Sequence, residues 1–156
     1  RTMADVIRRI RDEAGAERVV FAMLNRDRSR LRTRLALGGR PDDGVRGLDL
    51  ALNEKNLFTA MLGKSQSIWL NHANAARFQA YLPDSLARLL APHGAYLMSL
   101  FVKQRPLGLL YADGSSLDEQ GYRQFRRLCT EATRALTGGS RERPGVVAAN
   151  PQSPPS

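Results

Sequence analysis

Five arginines occupy every second position between Arg26 and Arg34, in the run RDRSRLRTR. A guanidinium group pairs well with phosphate oxygens, so such a row could bind the backbone of a nucleic acid. The same spacing is also typical of a half-buried β-strand, whose side chains point alternately to opposite faces. In RLRTRLAL (30–37) the residues that alternate onto the other face are suited to burial: Leu31, Thr33, Leu35 and Leu37. We therefore interpret the arginines as the solvent face of a strand, and a nucleic-acid-binding module is the less favoured alternative.

The residue types most often used in catalysis are few and dispersed. His72 and His93 lie far apart in sequence, without the spacing of a metal site. Asp42 and Asp43 fall in GGRPDDGVRG (38–47), whose composition indicates a solvated loop rather than a general acid and base. Cys129 is the only cysteine, which excludes an intrachain disulfide and a site of several thiolates. We predict that the chain is not an enzyme and holds no metal.

Composition narrows the class of protein further. The 156 residues carry a formal net charge of +9, from 21 Arg and 3 Lys spread along the chain among 15 acidic residues. Dispersed charge favours weak attraction to polyanions and nothing more specific. No apolar run reaches the ~20 residues of a membrane span, and a lone cysteine is typical of the reducing cytoplasm. We expect a single cytoplasmic domain with no membrane partner, and the opening RTMADV suggests that another segment precedes it in a longer protein.

Hydrophobic periodicity predicts the elements of the first half of the chain. Residues 2–14 place apolar side chains at helical spacing, and Gly15 is a typical helix end. The elements predicted after it are strands over 18–24, 30–37 and 48–52, a helix over 54–62 capped by Asn53, a strand over 66–70, a weak helix over 71–82 and a short helix over 84–91.

The strongest strand signal lies in GAYLMSLFVKQRPLGLLYADG (94–114). Two runs, 95–103 and 107–113, are joined by a predicted turn at QRP and are apolar on both faces, as in the middle of a covered sheet. Asp118 is predicted to cap a last helix that ends at Gly138–Gly139. Residues 138–156 are rich in Pro and Gly and are predicted to form a disordered tail.

These elements predict an α+β fold for residues 1–137. Its centre is an antiparallel sheet of about six strands, with the N- and C-terminal helices on one face and the connecting loops and short helices on the other. The order of elements, together with PLGLLYADG (106–114), resembles the GAF domain family. The stretch LARLLAPHGAYLMSLFVKQRPLGLLYADG (86–114) is most similar to GAF-like regions that follow an HDOD domain in bacterial signalling proteins. That resemblance implies an N-terminal partner domain, and we interpret Gly108 as a site of close packing against a neighbouring segment.

The resemblance also implies a sensory or regulatory role and a small-molecule pocket between the sheet and its connecting helices. The pocket would be lined from 58–81, 95–101 and 109–111, with Phe78 and Tyr96 interpreted as core. The predicted ligand-binding residues are Trp69, Asn71, His72, Arg77, Tyr81, Ser99 and Tyr111. The Asn-Lys-Phe-Asp-Glu motif of cyclic-nucleotide-binding relatives is absent, and a single cysteine excludes the chemistry of the methionine-sulfoxide-reducing members.

No particular cofactor follows from these residues. A domain that binds no ligand and acts in dimerisation or interaction is the open alternative, with a homodimer formed through the terminal helices.

Overall fold

The computed structural model of the chain describes residues 2–39, 46–82 and 94–142. The predicted helix over 84–91, Asp42, Asp43, His93 and residues 143–156 of the predicted tail lie outside these ranges. The elements in order are α1 (Met3–Ala14), β1 (Arg18–Leu24), β2 (Arg30–Leu37), β3 (Asp49–Ala51), α2 (Leu57–Met61), β4 (Ser67–Leu70), α3 (Ala75–Phe78), a 3₁₀ turn (Gln79–Tyr81), β5 (Ala95–Val102), β6 (Arg105–Asp113) and α4 (Glu119–Glu142).

The six strands form one antiparallel sheet in the order β3-β2-β1-β6-β5-β4. The hairpin of β5 and β6 therefore lies inside the sheet, as its apolar faces predict. A Cβ on Gly108 would overlap the carbonyl oxygen of Ala22 on β1, so the glycine permits the close approach of these two strands. The predicted α+β architecture is confirmed.

Two separate cores cover the two faces of the sheet. The helix-face core packs α1 and α4 against the sheet, and its members include Ile10, Phe21, Tyr96, Leu100, Leu110, Phe125 and Leu128. The connecting-face core joins the opposite side chains to the segment between β3 and β5, and its members include Leu31, Phe58, Met61, Leu97, Leu109 and Tyr111. In the described part of the chain, none of the helices combines the length and the apolar character that a membrane crossing requires.

Side-chain caps determine where the helices begin. Thr2 and Asp5 form a reciprocal capping box at the start of α1, and the Oδ1 atom of Asp118 accepts a hydrogen bond from the Gly121 N–H at 2.7 Å, as its predicted role requires. The predicted cap of α2 is wrong: Asn56, not Asn53, begins the helix, because Asn56 and Thr59 cap each other reciprocally. Gly138–Gly139 does not end α4, which continues to Glu142. A helical glycine costs only about 1 kcal/mol relative to alanine, and that cost does not by itself stop a long helix.

The arginine strand departs from its predicted pattern. Phe21 pairs with Leu35 but Ala22 pairs with Thr33, so Arg34 is the extra residue of a β-bulge. A one-residue shift moves later side chains to the other face. Leu31 is fully buried in the connecting-face core, while Leu35 is 37% exposed and Leu37 packs partly against the helix-face core. The prediction that the leucines share one buried face is therefore wrong.

The turn of the β5–β6 hairpin also differs from the prediction. Its two central residues are Lys103 and Gln104, with φ of 52° and 66°, the backbone that a two-residue turn between twisted strands requires. Pro106 lies within β6, opposite Phe101, where the register is irregular. Proline has no N–H to donate to a regular ladder, and it is tolerated at this position because the ladder is interrupted there.

Candidate functional site

A buried polar cluster lies at the end of β1 and β6, beside the connecting-face core. Arg18 begins β1 and pairs across the sheet with Asp113, the last residue of β6. The guanidinium and carboxylate groups form a two-pronged ion pair, with Nε and Oδ1 at 3.2 Å and a second contact between Nη2 and Oδ2. Tyr111 points to the connecting face and its hydroxyl donates a hydrogen bond to Asp113 Oδ2. The cluster is thus an Arg–Asp–Tyr chain built on two central strands.

Burial determines the electrostatics of this cluster. The side chains of Arg18 and Asp113 are only 12% and 11% exposed, and Arg18 lies 5.9 Å from the centre of the Tyr111 ring. Burial, followed by the charge of Asp113, holds the pKa of Tyr111 well above its ordinary value of 10.0. Tyr111 is therefore a neutral hydrogen-bond donor at physiological pH. Its ring stacks on Phe58 of α2 at 6.2 Å, which connects the cluster to the core.

A cavity of about 260 Å³ opens next to the cluster. Its lining includes Arg18 and Asp113 together with Glu17, Gly114 and Ser115, and Ser115 Oγ donates to Glu17 Oε2 at 2.7 Å. Gly39 and Gly94 also line it. The cavity offers a cation, two carboxylates and a hydroxyl, which suits recognition of a small polar molecule.

Ser99 lies on the same face as Tyr111 but has a different task. Its hydroxyl accepts a hydrogen bond from the Gln66 N–H at 3.0 Å and lies 3.1 Å from the Lys64 carbonyl oxygen. These contacts fasten the loop before β4 to β5.

Ser99 also lines a second cavity, of about 490 Å³, which lies between β5 and α4 and includes Phe101 and Arg134.

Trp69 lies on the wrong face for the predicted pocket. Its ring packs in the helix-face core, 5.8 Å from Tyr96 and 6.1 Å from Tyr122. Residues alternate along β4, and Leu70, not Trp69, joins the connecting-face core. The assignment of Trp69 to a pocket between the sheet and its connecting helices is therefore corrected. Tyr96 belongs to the same core, in agreement with its interpretation as packing.

The other predicted residues lie on or near the surface around α3. Asn71 shapes the turn after β4, where its Oδ1 accepts from the Ala73 N–H at 2.9 Å and its Nδ2 lies 3.2 Å from the Trp69 carbonyl oxygen. His72 and Arg77 are exposed, and Tyr81 is 57% exposed. The structure therefore does not bring the seven predicted residues together, and ligand contact by Tyr111 stays a prediction.

Sequence reasoning missed Arg18 and Asp113. A signal was present in each case. Arg18 is the one charged residue of the otherwise apolar run RVVFAML, and Asp113 is the one charged residue of PLGLLYADG. A charge attached to a central strand needs a partner, because an unpaired buried charge is costly. Which charge would meet which depends on the register of β1 against β6, and neither segment specifies that register alone.

Metal binding and cysteine chemistry are the other kinds of site to consider. Within the described ranges, no group of three or more His, Cys, Asp or Glu side chains could hold a metal ion. Cys129 is fully buried in the helix-face core, and that burial raises the pKa of its thiol well above 9.0. A reactive cysteine instead has a lowered pKa and access to solvent.

Comparison with known proteins identifies the fold. No protein-family model matches the chain, and a search of curated proteins finds no match. Solved structures do match. A GAF domain/HD domain protein from Geobacter sulfurreducens has 16% sequence identity and a TM-score of 0.71, covering 88% of this chain and 91% of that one. The chain has a GAF-like fold.

Two further structures place proteins of different kinds on this GAF-like fold. The GAF domain of an Acinetobacter phosphoenolpyruvate-protein phosphotransferase has 16% identity and a TM-score of 0.61, covering 86% of this chain and 79% of that one. A free methionine-R-sulfoxide reductase from Neisseria meningitidis, in complex with its substrate, has 17% identity and a TM-score of 0.58, covering 86% and 78%. A shared GAF-like fold therefore does not decide function, which has to be argued from the site.

Proposed function

We propose that the chain is a non-catalytic sensory or regulatory domain of a bacterial signal-transduction protein, acting in the cytoplasm beside a partner domain. It binds a small polar molecule at the Arg18–Asp113–Tyr111 cluster. The observation that carries this proposal is the cavity of about 260 Å³ that adjoins a buried ion pair on the connecting face. The GAF-containing proteins of similar structure support the regulatory role.

The chemistry of the cavity indicates the class of ligand. Arg18 supplies a fixed cation, while Asp113, Glu17 and Ser115 supply acceptors and a hydroxyl. A ligand with both hydrogen-bond donors and an anionic or carbonyl group would engage both sets. Catalysis is not proposed, because the one cysteine is buried and protonated and the aspartate is paired with arginine.

A thermal-shift screen tests this proposal. The full chain is mixed with a panel of nucleotides and small metabolites, and a compound that binds only the folded state raises the melting temperature. Two leucine substitutions then locate the compound: Ser115→Leu fills the cavity, and Ser116→Leu makes the same change at an exposed neighbour that does not line it.

We expect the thermal shift to disappear in Ser115→Leu and to persist in Ser116→Leu. A panel without any stabilising compound, or a shift that Ser115→Leu leaves intact, would contradict ligand binding at this cavity.

A second candidate function is dimerisation through α1 and α4. The arginines on the outer faces of these helices would repel those of a second copy unless acidic residues lie among them. Such interleaving exists within one chain: Glu13 contacts Arg9 at 2.6 Å and Arg127 at 3.1 Å, and Glu131 contacts the same two arginines. This reduces the repulsion between facing copies.

Sedimentation equilibrium over a 100-fold concentration range tests the dimer. A mass that rises toward twice that of the chain supports it, and a constant monomer mass contradicts it.

A further inference from the structure

Two turns meet at one end of the sheet, opposite the Arg18–Asp113 cluster. β1 and β6 are antiparallel neighbours, and the pair Met23 and Gly108 lies near the end of β1 and the start of β6. The β1–β2 turn (25–29) and the β5–β6 turn (103–104) therefore lie side by side. The guanidinium of Arg28 donates a hydrogen bond to the Pro106 carbonyl oxygen and connects the two turns directly.

These turns and the first residue of β6 bring together four cations, Arg26, Arg28, Lys103 and Arg105, which we call the basic tip. All four are exposed, and none has an acidic partner among the residues that the structure describes. The one acid within the turns, Asp27, accepts hydrogen bonds from the N–H and hydroxyl of Ser29. Glu54 and Lys55, on the neighbouring segment that contacts Ser29, offset each other.

The backbone of the basic tip is unusual. Arg28, Lys103 and Gln104 have φ of 61°, 52° and 66°, and they are the non-glycine residues with positive φ in the described part of the chain. A side chain in this left-handed region costs on the order of 1 kcal/mol, so glycine or asparagine is the usual choice. Two charged residues therefore occupy positions where stability alone favours glycine. Strain of this kind concentrates at functional sites.

The surroundings of the basic tip indicate the kind of partner. Protein interfaces are anchored by buried apolar or aromatic side chains. The large apolar residues exposed in the described ranges are Leu35 and Tyr81, and neither belongs to the tip. Contacts from cations alone are sufficient for nucleic acid, because phosphate neutralisation supplies essentially all non-specific affinity. The tip lies at the ends of four adjacent strands, β2, β1, β6 and β5, which span roughly 14 Å at the usual strand spacing. A duplex of that length carries about eight phosphates.

We propose that the basic tip binds the phosphate backbone of double-stranded nucleic acid without sequence preference. This surface differs from the row Arg26–Arg34 in the sequence. Arg30 and Arg32 of that row pair with Asp49, and the β5–β6 hairpin contributes Lys103 and Arg105 to the tip. Four neutralised phosphates predict a slope of about −3.6 for log K against log salt, which is about a 150-fold loss of affinity between 50 and 200 mM NaCl.

Fluorescence anisotropy of a labelled 20-base-pair duplex of random sequence tests this proposal with the full chain. Arg28→Gly combined with Lys103→Gly removes two cations at positions where glycine suits the backbone, so we expect the variant to fold. We expect the salt slope to fall to about −1.8 while the melting temperature is not lowered. The control, Arg11→Gln combined with Arg123→Gln, removes the same charge from α1 and α4, away from the basic tip. It should leave the slope unchanged.

Three results would overturn the proposal. The first is no binding of the duplex at 50 mM NaCl. The second is an equal loss of affinity in the two double variants, which would show an effect of net charge only. The third is that poly-L-glutamate competes as strongly as unlabelled duplex at equal charge concentration, or that the chain binds vesicles with phosphatidylglycerol as strongly as the duplex. Either result would assign the tip to another class of partner.

Discussion

The two faces of the sheet are covered by very different elements. On the helix face, α1 and α4 contribute 12 and 24 residues of regular helix, and their apolar stripes pack directly on Tyr96 and Leu100. On the connecting face, the elements that the structure describes are α2, α3 and the 3₁₀ turn, with 5, 4 and 3 residues. This face also carries the buried Arg18–Asp113 pair and the adjoining cavity.

This difference indicates a division of roles. Long helices with a continuous apolar stripe bury a large area per element and open only with global unfolding. Short elements contribute little stability of their own and adapt more easily to a bound molecule. The helix face therefore supplies the frame, and the connecting face supplies the adjustable site.

The largest expected effect is that of Phe125→Ala on the helix face. Phe125 is fully buried and lies 5.5 Å from the ring of Tyr96. Because Leu128, Cys129 and Ala132 anchor the same long helix in the helix-face core, we expect the space left behind to collapse little, with a loss of about 4 kcal/mol in the free energy of unfolding. Urea denaturation measures this loss.

Phe58→Ala is the matched change on the connecting face, where Phe58 is equally buried. We expect a smaller loss, of about 2 to 3 kcal/mol, because a five-residue helix can shift into the space. Equal losses in the two variants would contradict the proposed difference between a frame and an adjustable face.

Asp113→Ala is expected to have an effect of similar size to that of Phe58→Ala. It leaves the Arg18 guanidinium buried without its carboxylate and removes the acceptor of the Tyr111 hydroxyl, so we expect a loss of about 3 kcal/mol. Asp49→Ala is the control, because Asp49 contacts Arg30 and Arg32 at the surface. Urea denaturation of both variants should show a large effect only for Asp113, and similar effects would mean that burial of the pair is unimportant.

The sequence was sufficient to predict the sheet and its two layers. Segments such as RVVFAML and AYLMSLFV are apolar on both faces and are strands with bounds close to those predicted. Period and composition act locally, so a single segment contains enough information about its own conformation.

The candidate site could not be predicted in the same way. Its geometry depends on register and on irregularities that no segment specifies alone. The bulge at Arg34 moves Leu35 away from the face of Leu31, and the alternation along β4 directs Trp69 to the helix face. The pairing of Arg18 with Asp113 joins residues 95 positions apart. Predicted pocket residues were therefore distributed over both faces and the surface.

Tyr111→Phe separates the hydrogen bond from the packing on the connecting face. The ring remains, so we expect a loss of about 1 kcal/mol at pH 8. Burial raises the pKa of Tyr111 above 10.0 in the folded state, so the stability that the protonated hydroxyl contributes is present below pH 10 and is lost as the pH rises further. Urea denaturation from pH 8 to 11 should show the advantage of the unsubstituted chain shrinking above pH 10. An advantage independent of pH would contradict a buried, neutral Tyr111.

Glu131→Gln, on the helix face, has the smallest expected effect. Glu131 contacts Arg9 at 3.2 Å and Arg127 at 2.6 Å, and so joins α1 to α4 at a partly exposed position. Exposed ion pairs contribute little and are screened by salt. The loss of unfolding free energy should therefore be slight at 50 mM NaCl and absent at 500 mM. A loss as large as that of Phe58→Ala would show that charge, rather than apolar packing, holds the terminal helices, and the helix face would then respond to ionic conditions instead of serving as the frame.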